Sequence, residues 1–483
     1  MEKDLANRDE GYADRLANFV YKLRFEDIPP QALHRAKLCV LDTLGIILGA
    51  VSFNHSRHLI SYVRSLSHKE QATVLGFKLK TSVQEAAFAT GSLAELLELQ
   101  DGGWRGNHPS SVVIPAALAL GEAHGISGRE FLTAVVAGYD VANRICGAIH
   151  PSHQMRGFTP TSTGGTFGAA AAAGKILGFD KELHVNCLGI AGFLLPISLN
   201  ETLWKGCSIK LIHAGQAAKT GIESALLARE GFTGWEHILG SQSPDSLGFC
   251  NITATNPDFT KITEGLGKDF TIQGGYFKAY PCCRLTHGAI DAVLRILDQA
   301  PIQAPRIRKI HVNTFSLAFK KVGQNYTTPG SSLFECQFSL PYVVASTVLN
   351  TRFGIEQLSE SAIADHAIHD LASLVTVSEN PLFSNSFPKT RSTEIELVLD
   401  SGESMRHRVD FTKGDPEWPL TEDELLMKFK TLTSYTITQE LIERAVTEIM
   451  HLEQLSNIRE LVRSLTEGLI SNERLSLSGD ERH

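Results

Sequence analysis

The hydrophobic periodicity of this 483-residue chain changes along its length. Over about the first 265 residues, apolar residues recur three and four positions apart, which predicts a series of helices. Two later segments, 307–315 and 393–411, alternate apolar and polar residues, which predicts a strand and then a β-hairpin with a glycine turn. Between them, 336–350 and 358–375 have helical spacing, and helical spacing returns near the C-terminus. Strands confined to one interior region indicate a mainly α protein with a single α+β part.

The predicted architecture is one large all-helical domain built from both chain ends, with a smaller α+β lid domain inserted. We place the helical domain at 1–267 and 411–483, and the lid domain at 268–410. A single core stops growing near about 250–300 residues, so a chain of this length favours more than one domain. The small-residue-rich segments 165–178 and 214–231 are expected to be buried central helices. A cleft between the two domains would be the natural ligand site.

Charge and composition narrow the expected partners. The formal net charge is −8 and the sequence has no dense run of Lys and Arg, which argues against a nucleic-acid surface. The charged N-terminus lacks the apolar core of a signal peptide, and the sequence has no stretch of about 18 apolar residues that could span a bilayer. We therefore expect a cytoplasmic protein without membrane contact. The eight cysteines lack C-x-x-C spacing, which favours reduced thiols over a metal site and leaves a small molecule as the expected partner.

One stretch, YFKAYPCCRLTHGAID at 276–291, concentrates reactive side chains. It is open to three interpretations: a metal or redox site, an anion-binding catalytic segment, or the amphipathic start of a helix. A metal is disfavoured because adjacent cysteines rarely both reach one ion. A helix beginning near residue 286 would gather Lys278, Arg284 and His287 around its N-terminus, where anions bind.

A second candidate segment, 94–123, contains a break between two predicted helices. The first helix carries Glu98 and Asp101 and ends at a glycine pair, and the next begins after HPSS, with Ser110 or a neighbouring serine as the expected N-cap. His108 then stands beside a helix N-terminus, where a neutral imidazole suits a general base for an anionic substrate. The alternative is a loop histidine that only satisfies backbone groups.

The segment HPSHQMRGFTPTSTGG, 150–165, offers a weak metal pair in His150 and His153, without a third ligand nearby. The hydroxyl groups that begin at Thr159, just before a glycine-rich helix, suit an oxyanion better. An ordinary helix-capping cluster explains them equally well.

The segment 204–221 places Lys210 and His213 just before a small-residue helix that should be buried. A lysine brought close to a buried helix needs an anionic partner. A solvated lysine is the alternative interpretation, so the segment by itself leaves a functional role open.

The segments HPSSVVIPAALALGEA, GGTFGAAAAAGKILG, KLIHAGQAAKTGIESALLAREGFTG and YFKAYPCCRLTHGAIDAV, in this order, resemble the MmgE/PrpD family, as does LDTLG at 41–45. The resemblance covers about residues 12–470. That family includes 2-methylcitrate dehydratase, cis-aconitate decarboxylase and iminodisuccinate epimerase. The resemblance implies a homodimer with a large helical domain, a lid domain, and an active site in the cleft that needs no metal or organic cofactor.

The resemblance also assigns site residues, with departures from the family pattern. The acidic motif reads Glu98-Leu-Gln-Asp101-Gly instead of Asp-x-Asp-Asp-Thr, and Thr159 and Cys283 stand where the mammalian decarboxylase has histidines. These departures do not change the resemblance to the family, but they leave the particular reaction open. The candidate catalytic residues are His108, Lys210, Lys278 and Asp101, and the candidate substrate-binding residues are Glu98, Thr159, His213, Arg284, His287 and Cys283.

The family reactions begin with a proton moving at a carbon next to a carboxylate, where cations must neutralise the developing charge. We therefore expect a cofactor-independent lyase that acts on a citrate- or aconitate-type polycarboxylate, as a decarboxylase or a dehydratase. The second hypothesis is an isomerase or epimerase of a polycarboxylate. A third is a catalytically dead carboxylate-binding or scaffold protein, and the retention of His108, Lys210 and Lys278 argues against it.

Overall fold

The computed structural model describes residues 11–66, 69–103, 106–243, 245–300 and 302–469. Residues 1–10 and 470–483 lie outside these ranges. The first belong to the charged N-terminal stretch discussed above, and the second form the end of the predicted helical domain. Within the described ranges, no single helix is long and apolar enough to cross a membrane. One bent pair, Pro30–Ala50 with Asn54–Ser65, meets the length and composition requirements together.

Helices and one short hairpin make up the N-terminal part. In chain order the elements are α1 (Tyr12–Lys22), α2 (Pro30–Ala50), α3 (Asn54–Ser65), β1 (Ala72–Val74), β2 (Leu79–Thr81), α4 (Val83–Leu96), α5 (Ser110–His124), α6 (Gly128–Ile149), α7 (Ser152–Met155), α8 (Pro160–Ile176), α9 (Lys181–Leu194), α10 (Asn200–Trp204), α11 (Ile212–Arg229), α12 (Phe249–Thr253) and α13 (Thr260–Thr263).

The rest of the chain mixes helices with four strands and then returns to helices, so the protein is mainly α, as predicted. The elements are α14 (His287–Gln299), β3 (Ile307–Thr314), α15 (Ser316–Lys321), α16 (Leu333–Gln337), α17 (Leu340–Asn350), α18 (Glu360–Ile363), α19 (His366–Ser373), β4 (Val375–Glu379), α20 (Pro381–Ser386), β5 (Thr393–Leu399), β6 (Ser404–Val409), α21 (Glu422–Thr433), α22 (Gln439–Met450) and α23 (Arg459–Glu467).

Helices α8 and α11 are buried among other helices, as their small residues predict. Helix α8 packs against α5, α6, α9 and α11, and α11 also packs against α4. A Cβ atom built on Gly215 of α11 would lie 2.1 Å from the carbonyl oxygen of Phe88 in α4. No side chain fits at that separation, so the close approach of α4 and α11 depends on glycine at this position.

The larger sheet has four strands in the order β4-β3-β5-β6. Strand β3 pairs parallel with β4 and antiparallel with β5, and β5 pairs antiparallel with β6. Gly402, with a φ of 84°, lies in the turn between β5 and β6, so the predicted hairpin is confirmed. Helix α14 packs on β5, β6 and α17. The sheet thus supports α14, the helix that follows the Cys-Cys-Arg segment at 282–284.

Two details of the predicted secondary structure are wrong. Residues 358–375 do not form helix throughout, because α18 and α19 are short and β4 begins at Val375. Strand β4 forms by pairing with β3, with Val375 opposite Ile310, and such a distant partner leaves no mark on local spacing. The region predicted as helices alone also contains the β1–β2 hairpin, in which Ala72 pairs with Thr81.

Contacts between residues far apart in the sequence join the C-terminal helices to the N-terminal part of the chain. Helices α21 and α22 pack against α2, and α23 packs against α22 and α5. A backbone bridge joins Gly102 to Tyr276, with N–H to O distances of 3.0 and 2.8 Å in the two directions. The segment after α4 and the segment before α14 are therefore held side by side. The exact division into a helical domain and an inserted lid domain stays a prediction.

Candidate active site

One cavity of about 100 Å³ brings together eight of the ten candidate residues. These are Glu98, His108, Thr159, Lys210, His213, Lys278, Cys283 and Arg284. The cavity is lined by residues at the N-terminal ends of α8 and α11 and by residues just before α5 and α14. The N-terminal end of a helix carries partial positive charge, which favours an anion nearby.

Two buried lysines share one carboxylate in the wall of the cavity. The Lys210 ammonium forms an ion pair with Glu98 Oε2, and Lys278 Nζ lies 2.8 Å from Glu98 Oε1 and 3.0 Å from the Glu98 carbonyl oxygen. The two lysine side chains are 1% and 0% exposed. A buried ammonium needs an anionic partner, and one carboxylate balances only one of the two charges. We call Lys210 and Lys278 the lysine pair.

Glu98 follows the end of α4 in a left-handed backbone conformation, with a φ of 52°. This conformation favours glycine and is uncommon for a residue with a long side chain. Burial alone would raise the pKa of the Glu98 carboxyl group, but the Lys210 and Lys278 ammonium groups outweigh burial and hold the pKa well below its ordinary value. A charged residue retained in an unfavourable conformation points to a functional requirement for its carboxylate.

His108 stands just before α5, and its ring is oriented by the backbone. Nδ1 lies 2.6 Å from the carbonyl oxygen of Asp101. Since a carbonyl oxygen can only accept, Nδ1 carries the proton in the neutral ring and Nε2 is the atom that can take another. Burial, followed by the charge of Lys278, lowers the pKa of the imidazole. A neutral imidazole of fixed tautomer has the properties of a general base.

Asp101 lies behind the cavity wall, and only its carbonyl oxygen contacts the imidazole. Its carboxylate accepts hydrogen bonds from the Tyr139 hydroxyl at 2.9 Å and from the Ser110 backbone N–H at 3.3 Å. It thereby satisfies the N-terminus of α5. The predicted serine N-cap is wrong, because Pro109 occupies the N-cap position and Ser110 begins the helix. A catalytic role for Asp101 stays a prediction, and its observed contacts position the loop.

Two arginines share a second carboxylate. Arg284 forms an ion pair with Asp415, and Arg391 Nη1 lies 3.9 Å from Asp415 Oδ1. Both arginines line the cavity, and Arg284 Nε is buried without a hydrogen-bond partner among the described residues. We call Arg284 and Arg391 the arginine pair. The structure places His287 behind this pair, with its Nδ1 3.0 Å from Arg284 Nη1, and not in the cavity wall.

The remaining candidates supply polar and packing contacts. Thr159 Oγ1 and His213 Nε2 are buried without hydrogen-bond partners within the described ranges, and both residues line the cavity. Burial raises the pKa of the Cys283 thiol to about 12, so it is neutral near pH 7 and packs as a small apolar group. His153, from the weak metal pair, stacks on Phe158 with ring centroids 4.9 Å apart.

Sequence reasoning missed Arg391 and its partner Asp415. Both lie in irregular segments flanking β5 and β6, where no periodicity or spacing marks them. Glu95 also lines the cavity and did leave a signal, because it belongs to the same predicted acidic helix as Glu98, although α4 ends at Leu96 and Glu98 lies beyond it. Its carboxylate accepts hydrogen bonds from Ser111 Oγ at 2.6 Å and from the Gln100 amide at 2.7 Å.

Comparison with known proteins identifies the family. The profile of the MmgE/PrpD N-terminal domain matches residues 14–261, and that of the MmgE/PrpD C-terminal domain matches residues 280–453. The chain is 27% identical over 470 residues to the cis-aconitate decarboxylase-like protein oryM of Aspergillus oryzae, which covers 92% of this chain and 95% of that protein. It is 25% identical over 487 residues to the cis-aconitate decarboxylase of Mus musculus, covering 96% and 95%.

A second group of relatives consists of dehydratases. The 2-methylcitrate dehydratase of Escherichia coli K12 is 21% identical over 416 residues, which covers 80% of this chain and 82% of that protein. Since both domain profiles match and together span most of its length, the chain belongs to the MmgE/PrpD family. With decarboxylases and dehydratases as relatives over most of its length, it is an enzyme of the lyase type.

The Lys278→Met substitution is expected to raise the pKa of His108, because the Lys278 charge opposes protonation of the imidazole. Burial persists in the variant, so the native pKa should lie below the ordinary value of 6.5 and the variant pKa should move up towards it. NMR titration of protein labelled with ¹³C in its histidine rings measures both values, with a His108→Asn spectrum to assign the resonance. Lys430→Met on the surface is the control, and a native pKa above 6.5 or no shift in Lys278→Met would contradict the site geometry.

Proposed function

We propose that this lyase acts on a citrate- or aconitate-type polycarboxylate by moving a proton at a carbon next to a carboxylate. The observation that carries the proposal is the charge of the cavity. Its lining contains four cationic side chains, the lysine pair and the arginine pair, against the carboxylates of Glu95 and Glu98, with Asp415 behind the arginines. A buried excess of positive charge favours an anionic ligand over a neutral one.

The arginine pair suits the carboxylate that stays intact during the reaction. A guanidinium group holds a carboxylate through two parallel hydrogen bonds, which fixes the orientation of the substrate as well as its position. Arg284 has a buried Nε donor without a hydrogen-bond partner among the described residues, and a bound carboxylate would accept from it.

The lysine pair suits the carboxylate next to the reacting carbon. When a proton or carbon dioxide leaves that carbon, the electron pair spreads onto an adjacent carboxylate that is already negative, and the barrier is high unless cations neutralise the new charge. Lys210 and Lys278 are buried and are already oriented by Glu98, so little reorganisation is needed. His108 Nε2 is placed to accept or return the proton, since Nδ1 is held by the Asp101 carbonyl oxygen.

The lysine and arginine side chains can neutralise the developing negative charge by themselves. We therefore propose that the reaction needs neither a metal nor an organic cofactor. Decarboxylation is the first candidate, since relatives named cis-aconitate decarboxylase match 94% to 96% of this chain. Dehydration follows, supported by the relatives named 2-methylcitrate dehydratase, which match about 80%. Isomerisation or epimerisation is the alternative, because the same proton transfer without loss of a group would produce it.

A proton NMR time course in deuterated water distinguishes these reactions. The wild-type enzyme is incubated separately with cis-aconitate, trans-aconitate, citrate and 2-methylcitrate. We expect cis-aconitate to lose carbon dioxide and to gain one solvent deuteron on carbon, whereas dehydration would convert citrate or 2-methylcitrate to an alkene with loss of water. Deuterium exchange or a cis–trans change without net loss would identify an isomerase. No change in any of the four compounds would contradict the proposed function.

In the same assay, His108→Gln should lower kcat by about 10²- to 10⁴-fold, because it removes the proton-transfer group. His124→Gln is the matched control, since His124 is an exposed residue at the far end of α5. Equal activity of His108→Gln and His124→Gln would contradict the assignment of the base.

Arg391→Gln should raise KM for the polycarboxylate by about 10- to 100-fold, the loss expected from a charge-assisted hydrogen bond. Steady-state kinetics with the substrate found in the time course measures the effect. Arg408→Gln is the control, because Arg408 in β6 is half-exposed and pairs with Asp410 at the surface. An unchanged KM in Arg391→Gln would show that the arginine pair does not bind substrate.

A homodimer is also part of the proposal, and an exposed apolar face supports it. Met155 in α7, Phe193 at the end of α9, and Ile197 and Leu199 beyond it are 80%, 84%, 62% and 62% exposed. A backbone bridge between Phe158 and Leu199 joins these segments into one face. Exposed apolar patches of this kind mark protein interfaces.

Light scattering coupled to size-exclusion chromatography tests the dimer. The wild type should have twice the mass of one chain, and Phe193→Asp combined with Ile197→Asp should have the mass of one chain, because charged groups cannot be buried in an apolar interface. Leu382→Asp is the control, since Leu382 is 73% exposed in α20 and does not belong to the segments that form this face. A monomeric wild type would contradict the proposal.

A further inference from the structure

The LDTLG segment at the centre of α2 contributes a buried ion pair that the proposed mechanism does not use. Lys428 Nζ in α21 lies 2.6 Å from Asp42 Oδ1, and the two side chains are 11% and 1% exposed. Neither residue lines the active-site cavity. A buried ion pair stabilises a fold no better than apolar side chains of the same size, so stability alone does not explain its presence.

The other hydrogen bonds of Lys428 lead to the active site. Its ammonium group donates to the carbonyl oxygen of Lys278 at 2.8 Å and to the carbonyl oxygen of Leu99 at 3.1 Å. Lys428 thus donates two hydrogen bonds to backbone carbonyl oxygens and forms an ion pair with Asp42. One side chain from near the C-terminus thus connects α2, the backbone directly after Glu98, and the backbone of the reactive Lys278.

These contacts close a ring around the lysine–glutamate contact. Lys428 holds the backbone of Lys278 and of Leu99, and the Lys278 ammonium group in turn binds the Glu98 carboxylate and the Glu98 carbonyl oxygen. The relative position of the two segments therefore determines whether Lys278 Nζ reaches Glu98. A displacement of about 1 Å at a reacting group can cost about 100-fold in rate.

Two further contacts fix the same segment from α2. Arg35 donates to the Gly275 carbonyl oxygen at 2.7 Å, and its guanidinium carbon lies 3.8 Å from the centre of the Phe277 ring. Arg35 and Asp42 both belong to α2, so this helix holds the segment before Lys278 directly and the backbone of Lys278 itself through Lys428.

We propose that Lys428, held in place by Asp42, is a positioning residue that sets Lys278 against Glu98. The inference rests on the proposed function, because it presumes that Lys278 acts on the substrate. It gives the Asp of LDTLG a role in the reaction, although its carboxylate does not line the active-site cavity.

The first test combines Lys428→Met with Asp42→Asn, so that neither partner is left as an unpaired buried charge. In the crystal structure of this double variant, the separation of Lys278 Nζ and Glu98 Oε1 should exceed hydrogen-bonding distance, compared with 2.8 Å in the native protein. An unchanged contact would overturn the proposal. This result does not depend on which substrate the enzyme uses.

The second test is kinetic. The double variant should lower kcat by about 10- to 100-fold and change KM by less than about 3-fold, because Lys428 acts through Lys278 and does not touch substrate. In a Lys278→Met background the same two substitutions should cause no further loss, whereas a purely structural role would reduce activity in both backgrounds. Additive losses would overturn the proposal. Lys430→Met with Glu443→Gln, a surface pair that begins on the same helix, is the matched control.

If the double variant does not fold, Lys428→Arg replaces it. This variant keeps the charge beside Asp42, but its planar guanidinium cannot occupy the same point between three acceptors. We expect a wild-type melting temperature with the same loss of kcat, and a wild-type kcat would contradict the proposal. A wild-type enzyme without activity on any polycarboxylate refutes the proposed function instead, and the crystal structure of the variant then decides the positioning role alone.

Discussion

The site depends on one arrangement of charges, a carboxylate between two buried ammonium groups. Glu98 offers one oxygen to Lys210 and the other to Lys278, and both lysines are almost completely excluded from solvent. Buried charges are stable only when they are paired, and Glu98 by itself balances only one of the two ammonium groups. The protein therefore keeps buried cationic groups at the cavity, and burial strengthens the electrostatic stabilisation of a developing negative charge. The left-handed conformation of Glu98 is a local cost of that arrangement.

The fold brings this arrangement together from residues at or just before the starts of four helices and from irregular segments between elements. His108, Lys210 and Arg284 each stand just before a long helix, so their side chains meet where the helix dipoles favour an anion. Glu98 and Lys278 lie in two irregular segments that the Gly102–Tyr276 bridge holds together. Helix α21, packed on α2, places Lys428 beside these two segments. In the proposed account, packing between distant parts of the chain thus positions one lysine.

The sequence predicted the candidate residues His108, Lys210 and Arg284, which stand just before helices, because helix starts leave a local signal. Lys278 lies nine residues before α14, and the family motif supported its choice. The sequence did not predict Arg391, Asp415 or Lys428, because each is brought to the site by packing between segments far apart in the chain. The same reason explains the missed strand β4, which exists through its pairing with β3. The serine N-cap of α5 was wrong because the Asp101 carboxylate, nine residues earlier, already meets the Ser110 N–H.

The central claim is that the lysine pair and the arginine pair hold two carboxylates of one substrate beside His108. The most direct test is a crystal structure of the enzyme with propane-1,2,3-tricarboxylate, a saturated tricarboxylate that lacks both the double bond and the hydroxyl group of the expected substrates. We predict one carboxylate within hydrogen-bonding distance of Lys210 or Lys278, another on Arg284 or Arg391, and the carbon between them facing His108 Nε2. Binding outside this cavity, or binding in it without contact to either pair, would contradict the account.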